Sequence, residues 1–359
     1  MLIVYYVRIS VSDWSSLMTR IKPTLQVRWA DGTLSAAPRS VPRKIRIDKR
    51  SPPPSAISLA LTLFIIVPLY GTAGDLIAFQ TDRDGDAEIM IMDPDGKNQR
   101  QLTDNDAQDH NPRWSPDGGK IIFVSDRDGN DEIYIMDPDG SNQTRMTDHP
   151  AAEGNPTWSP DGSMIAYNTD RFPDGGSEVL RQNVDGSWGW NLTRMTDNPT
   201  ADDFISWSPD GRWIAFESDR DRDDPEIYLM NAVDGTNLQR LTFTRALDEV
   251  PSWSPDGQKI LFSSDRVGEP QNGNYEIYIM NIDGSDPQRL TNSPAQDTYP
   301  SMSPDGKAIV FESYRDGHAE IYRMNADGTG VTRLTHYDGK IAEEGDFPPG
   351  NGNPSWSPK

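Results

Sequence analysis

The pentapeptide Trp114-Ser115-Pro116-Asp117-Gly118 returns as Trp158–Gly162, Trp207–Gly211 and Trp253–Gly257, with a Met-headed copy at Met302–Gly306 and a partial one at Trp356–Lys359. Proline fixes φ and glycine accepts a positive φ, so each copy reads as a tight turn between two extended runs. An aromatic residue follows each of the first five heads by nine positions: Phe123, Tyr167, Phe216, Phe262 and Phe311. A hairpin of fixed length that recurs roughly every 45 to 50 residues constrains the chain to a repeat architecture.

Behind each hairpin lies a further apolar run, Ile133–Met136, Ile227–Met230, Ile277–Met280 or Ile321–Met324. A turn such as Asp137–Gly140 or Asn281–Gly284 then leads to a short strand such as Thr144–Thr147. Every unit therefore supplies four short strands with no helical pattern between them, which predicts an all-β, six-bladed propeller of four-stranded antiparallel blades. At the N-terminal end, Ile77-Ala78-Phe79 matches a second strand whose Trp strand is missing. Trp356 to Lys359 take offsets zero to three, Gly74 offset four and Phe79 offset nine, so the two half-units join without a gap. The C-terminal strand is expected to complete the N-terminal blade and close the ring, removing the free sheet edges.

Residues 1–73 carry ten basic and three acidic residues, leaving 24 basic and 53 acidic residues for the rest. The strongly acidic remainder argues against nucleic acid as a partner. Without cysteine, thiolate metal sites and disulfides are excluded. Arg43 to Arg50 precede the apolar run Ala56–Tyr70 and the small residues Gly71-Thr72-Ala73, the layout of an export signal with cleavage after Ala73. An uncleaved membrane anchor is the competing reading. Residues 1–40 fit neither a signal nor a folded domain, as an over-extended start would give. The propeller is assigned to 74–359, and the product is expected in the periplasm or secreted.

Taken together, Trp-Ser-Pro-Asp-Gly, Ser125–Gly129, Glu132–Asp137 and the closing Arg-Met-Thr or Arg-Leu-Thr resemble the TolB-like propeller repeat over residues 74–359. That resemblance implies a six-bladed propeller of the bacterial envelope that acts by binding other proteins. Within the Tol-Pal system the TolB propeller binds a peptidoglycan-associated lipoprotein. TolB also carries a small α/β domain before its propeller, which residues 1–73 cannot form. Relatives in the family serve as propellers of serine peptidases and as pectin-fragment lyases.

Whatever recurs in every blade is expected to be scaffold. An Arg closes the second strand in all six units, at Arg83, Arg127, Arg171, Arg220, Arg266 and Arg315, and reads as a repeated hydrogen-bonding group within or between blades. The turns beyond it are rich in oxygen ligands: Asp82, Asp84, Asp86 and Glu88 in one blade, Asp126, Asp128, Asp131 and Glu132 in the next. Such loops suit Ca2+, with a solvated acidic turn as the competing reading, and no other cofactor is implied.

Non-recurring residues are the candidates for contact with a partner: Trp188 and Trp190, His110 and His149, and Glu343, Glu344 and Asp346 in the longest interblade connection. The expected function is a non-catalytic scaffold for an envelope protein or peptide. The alternative is a carbohydrate-active enzyme of lyase or glycosidase type, or a polysaccharide-binding propeller. Contact with a membrane is expected only through an uncleaved anchor.

Overall fold

The computed structural model describes residues 76–83, 85–173, 175–184, 192–221, 224–267, 273–337 and 350–358. Residues 1–73, expected to hold the export signal, together with Asp84, the Trp188/Trp190 pair and the acidic residues Glu343, Glu344 and Asp346, lie outside the described residues.

Six four-stranded antiparallel sheets form the blades, and no helix occurs among the described residues. Blade 2 shows the plan: Asp109–Trp114, Ile121–Ser125, Glu132–Met136 and Thr144–Arg145, each strand paired with the next. The first strands are Asn351–Trp356 in blade 1, then Asp109–Trp114, Glu153–Trp158, Asp202–Trp207, Asp248–Trp253 and Asp297–Met302 in blades 2 to 6. Each touches the first strands of both neighbouring blades, so the six form the inner wall of the ring.

The strand order of blade 1 confirms the expected closure, with Asn351–Trp356 pairing with Ile77–Thr81. Register follows the Trp offset. Trp114 lies opposite Ile121, Trp158 opposite Ile165 and Trp253 opposite Ile260, and across the chain ends Trp356 lies opposite Ile77. In the intact turns the serine hydroxyl accepts from the backbone five residues on, as Ser115 does from Lys120 at 2.9 Å. Ser357 reproduces this across the break, its Oγ accepting from Leu76 N at 3.0 Å while its own N donates to Leu76 O at 2.8 Å.

The blades are held together by apolar packing. Trp114 of blade 2 joins Ala78, Ile89, Ile91 and Leu102 of blade 1 in one buried cluster. Where geometry permits, the indole N–H also reaches across: Trp158 donates to Arg113 O, Trp253 to Ser206 O and Trp356 to Ser301 O, at 3.0–3.2 Å. The opening tryptophans are thus interblade wedges.

The recurring arginines work within blades. Arg127 Nη2 donates to both carboxylate oxygens of Asp109, as Arg220 Nη2 does to Asp202, Arg266 Nη2 to Asp248 and Arg315 Nη2 to Asp297, all at 2.7–3.0 Å. Arg171 meets Glu153, and Arg83 meets Asn351 at 3.0 Å. Each ties the end of the second strand to the start of the first. The carboxylates Asp109, Asp202, Asp248 and Asp297 have no exposed surface, so the pairs are desolvated and geometrically demanding.

Candidate functional site

The six inner strands share one unusual backbone feature. Counting from their first residue, position three is left-handed in every blade: Asn353, Asn111, Asn155, Phe204, Val250 and Tyr299, with φ between 46° and 54°. In blades 2 to 6 the strand register shifts between positions two and five, so two residues oppose one on the neighbouring strand, and blade 1 shifts at the matching place. A bulge of this kind withdraws a backbone N–H from the ladder. Three of the freed groups find a side chain on the preceding blade: Asn111 N donates to Gln80 Oε1 at 3.0 Å, Val250 N to Glu217 Oε2 at 3.0 Å and Asn353 N to Glu312 Oε2 at 2.9 Å. Such strain in six equivalent places needs an enclosing structure to hold it.

The bulges divide the channel into unlike halves. Blades 1 to 3 present amides: Asn353 Nδ2 donates to Asn111 Oδ1, and Asn111 Nδ2 donates to Asn155 Oδ1 at 2.7 Å. Blades 4 to 6 present Phe204, Val250 and Tyr299, and the Phe204 and Tyr299 rings meet edge to face at 5.8 Å across blade 5. Carboxyl groups gather in this second half. Glu217 is driven well above its ordinary range by burial and then by the charge of Glu249. Glu249 is raised by burial, although it accepts from Tyr275 OH at 2.9 Å. Burial also raises Glu312 and Asp203, the latter accepting from Ser177 Oγ at 2.7 Å. Gly352 packs against Glu312, and a Cβ there would lie 2.3 Å from Glu312 Oε2 and displace that carboxyl.

A cavity of about 300 Å³ opens in the channel between these strands. Arg113, Thr157, Phe204, Val250, Tyr299 and Asn353 are among the residues that border it. Its size matches the lower end of small-molecule sites.

At the rim, the turn between the second and third strands of blade 2 brings several expected residues together. His110 is the second residue of its inner strand, and its Nε2 lies 3.8 Å from Asp131 Oδ1. The backbone N of His149 donates to Glu132 Oε1 at 2.8 Å, and its Nδ1 accepts from Ala151 N at 3.1 Å. Asn130 Nδ2 reaches His149 O at 2.9 Å, so both histidines border the same turn.

Of the eight acidic residues read as oxygen ligands, Asp84 lies outside the described residues, and the other seven do not converge. Glu88 and Glu132 are buried in the blades, where Glu88 Oε1 accepts from Asn105 N at 2.6 Å and Glu132 Oε1 from Arg145 Nη2 at 2.7 Å. Asp82 accepts from Gly350 N and Asp126 from Gln108 N, both at 2.8 Å. Asp128 accepts from Tyr134 OH. Among the described residues no group of three or more acidic or histidine side chains is arranged to hold a metal ion.

The TolB β-propeller domain model matches residues 59–147, 206–272 and 271–359, more than half of the chain. The chain belongs to the TolB β-propeller domain family. Among solved structures, TolB from Acinetobacter baumannii superposes with a TM-score of 0.67 at 24% identity, covering 80% of this chain and 68% of that one. A putative TolB from Agrobacterium tumefaciens gives 0.61 at 24% identity, over 79% and 94%. An oligogalacturonate lyase in complex with manganese gives 0.53 at 17% identity, over 74% and 76%. At these identities the likeness is one of fold. No curated protein matches significantly. The family's repeat motifs account for the turns and wedges, whereas the channel residues vary from blade to blade within this chain.

Proposed function

We propose that this chain is an exported, non-catalytic scaffold that binds an envelope protein or peptide, in the manner of its TolB relatives. The observation that carries the reading is where the recurring charges go. In blades 2 to 6 the acidic first residue of the inner strand and the arginine closing the second strand are paired inside the sheet. Discrimination between partners is then left to what does not recur, namely the rim around His110 and His149, the Trp188/Trp190 turn and the acidic connection with Glu343, Glu344 and Asp346. The export signal in residues 1–73 supports placement in the periplasm or outside the cell, with membrane contact only through an uncleaved anchor.

The test is capture from an envelope extract by the tagged chain, with bound proteins identified by mass spectrometry. Reversing Glu343, Glu344 and Asp346 to lysine should release at least one captured protein. An unchanged set of captured proteins would overturn the assignment of this surface. Calcium is checked separately: a Tm raised by the ion and lowered by a chelator is expected if the acidic turns bind it.

Glu217 and Glu249 favour a second reading. Two buried carboxyls with raised pKa values, one feeling the charge of the other, are suited to acid-base work on a sugar ring. Turnover of acidic oligosaccharides that is abolished in Glu217→Gln would support a lyase or glycosidase over the scaffold.

A further inference from the structure

Position five of the inner strands forms its own ring, one layer from the left-handed residues towards the Trp end. It comprises Ser355, Arg113, Thr157, Ser206, Ser252 and Ser301, and all six border the cavity. Five positions carry a short hydroxyl side chain, and one carries a guanidinium.

Among the described residues the Arg113 side chain has no carboxylate within 4.0 Å, and its one hydrogen bond runs from Nη1 to the neighbouring Pro112 O at 2.9 Å. This contrasts with the arginines that close the second strands of blades 2 to 6, each of which is paired with an acid. The side chains of Thr157, Ser206 and Ser301 likewise make no hydrogen bond to another described residue, whereas Ser252 Oγ is committed to Pro300 O at 2.7 Å. The cavity thus holds an uncompensated cation and several unused hydroxyls. On its other side stand the edge-to-face rings of Phe204 and Tyr299.

We propose that this cavity is a binding site for a monocarboxylate with a small aromatic or apolar body, its carboxylate forked onto Arg113 and its body against Phe204 and Tyr299. The fork geometry of a guanidinium matches two carboxylate oxygens, and the hydroxyls supply further donors. A single negative charge fits better than a phosphate, because the carboxyl groups of Glu217, Glu249 and Glu312 lie within electrostatic reach of Tyr299, with Asp203 beside Glu217. Burial also pushes the Arg113 guanidinium down to about 10, so the cation gains from any anion brought beside it. The site stands whether or not the chain binds a protein partner.

Isothermal titration of the full chain with benzoate tests this, with benzamide as the uncharged counterpart and inorganic phosphate as the competing anion. Benzoate should bind once per chain and raise Tm, and benzamide should bind at least about tenfold more weakly, the worth of a charge-assisted hydrogen bond. Arg113→Gln should lower benzoate affinity by about the same factor without lowering the Tm of the free protein. Arg113→Lys, which keeps the charge and loses the fork, should fall between. Equal affinity for benzoate and benzamide, absent benzoate binding, or binding unchanged in Arg113→Gln would each overturn the proposal. Phosphate that binds more tightly than benzoate would overturn the carboxylate assignment. Should the Gln variant fail to fold, the contrast between benzoate and benzamide on the unaltered chain decides.

Discussion

Asn353, Asn111 and Asn155 are residues that tolerate left-handed backbone, but Phe204, Val250 and Tyr299 are not. Five of the six are also followed directly by proline, at Pro112, Pro156, Pro251, Pro300 and Pro354, a neighbour that steers the chain towards extended backbone. The bulge is therefore imposed by the ring, and the nearby carboxyls sit where the ring puts them. Their titration gives a prediction. Burial outweighs the Arg171 pair and lifts Glu153 from 4.5 to about 7, and it lifts Glu217, Glu249 and Glu312 as well. Between those values the folded chain holds protons that the unfolded chain has released, so stability falls as pH rises through that window. The turn aspartates act oppositely. Hydrogen bonds from Gly119 N to Asp117, Ser159 Oγ to Asp161 and Ser254 Oγ to Asp256 lower their pKa values, and their contribution is lost as pH falls through the acid range. Tm should therefore peak on the acid side of neutrality, between about 4.5 and 6. Glu217→Gln should raise Tm at pH 8 and leave it nearly unchanged at pH 5. A Tm that climbs steadily from pH 5 to 8 in the unaltered chain would contradict the penalty that burial sets on the charged form of these acids.

The blade, as an element, is joined to its neighbour by a backbone contact as well as by tryptophan. Gly140, in the turn after the third strand of blade 2, has φ of 86°, and a Cβ there would lie 2.4 Å from Leu102 O of blade 1. Gly96, Gly235, Gly284 and Gly328 make the equivalent approach at 2.2–2.6 Å. Gly129 is also left-handed, with φ of 107°, but a Cβ there would meet nothing within 4 Å. Gly129→Ala should cost about 1 kcal/mol, the conformational penalty alone. Gly140→Ala should cost a further 1–3 kcal/mol or so by forcing the blades apart. Urea unfolding midpoints measure both, and equal losses would show that the interblade contact yields freely.

For the whole molecule, the chain ends are the weakest link, because blade 1 is the one blade not covalently continuous. Removing residues 351–359 leaves Ile77–Thr81 as an open edge and takes Trp356 from its place against Val310 and Ile321. The truncated chain should self-associate in size-exclusion chromatography and lose its sharp thermal transition. Ser357→Ala, which removes only the hydroxyl that accepts from Leu76 N, should cost about 1 kcal/mol. A monomeric truncated chain with an unchanged Tm would show that the ring does not depend on its closure.

The blade plan was legible in the sequence because turn chemistry is local. Pro-Asp-Gly states the hairpin, and the spacing from Trp114 to Phe123 states its register. The closure of Trp356 onto Ile77 followed from the same count, since offset along one repeat is all that a hairpin requires. The arginine following each second strand was readable as scaffold from its recurrence, though not its partner, because Asp109 and Arg127 meet only when the sheet folds back. The acidic turns suggested calcium because a string of carboxylates shows density but not direction, and Glu88 and Glu132 point into the blades. Tertiary structure alone decided the channel. Asn111, Phe204 and Tyr299 lie on different repeats with no shared motif, and Arg113 is one letter where other blades have Ser or Thr. Only closing six bulged strands into one ring sets amides against aromatic rings and leaves that guanidinium facing hydroxyls instead of an acid.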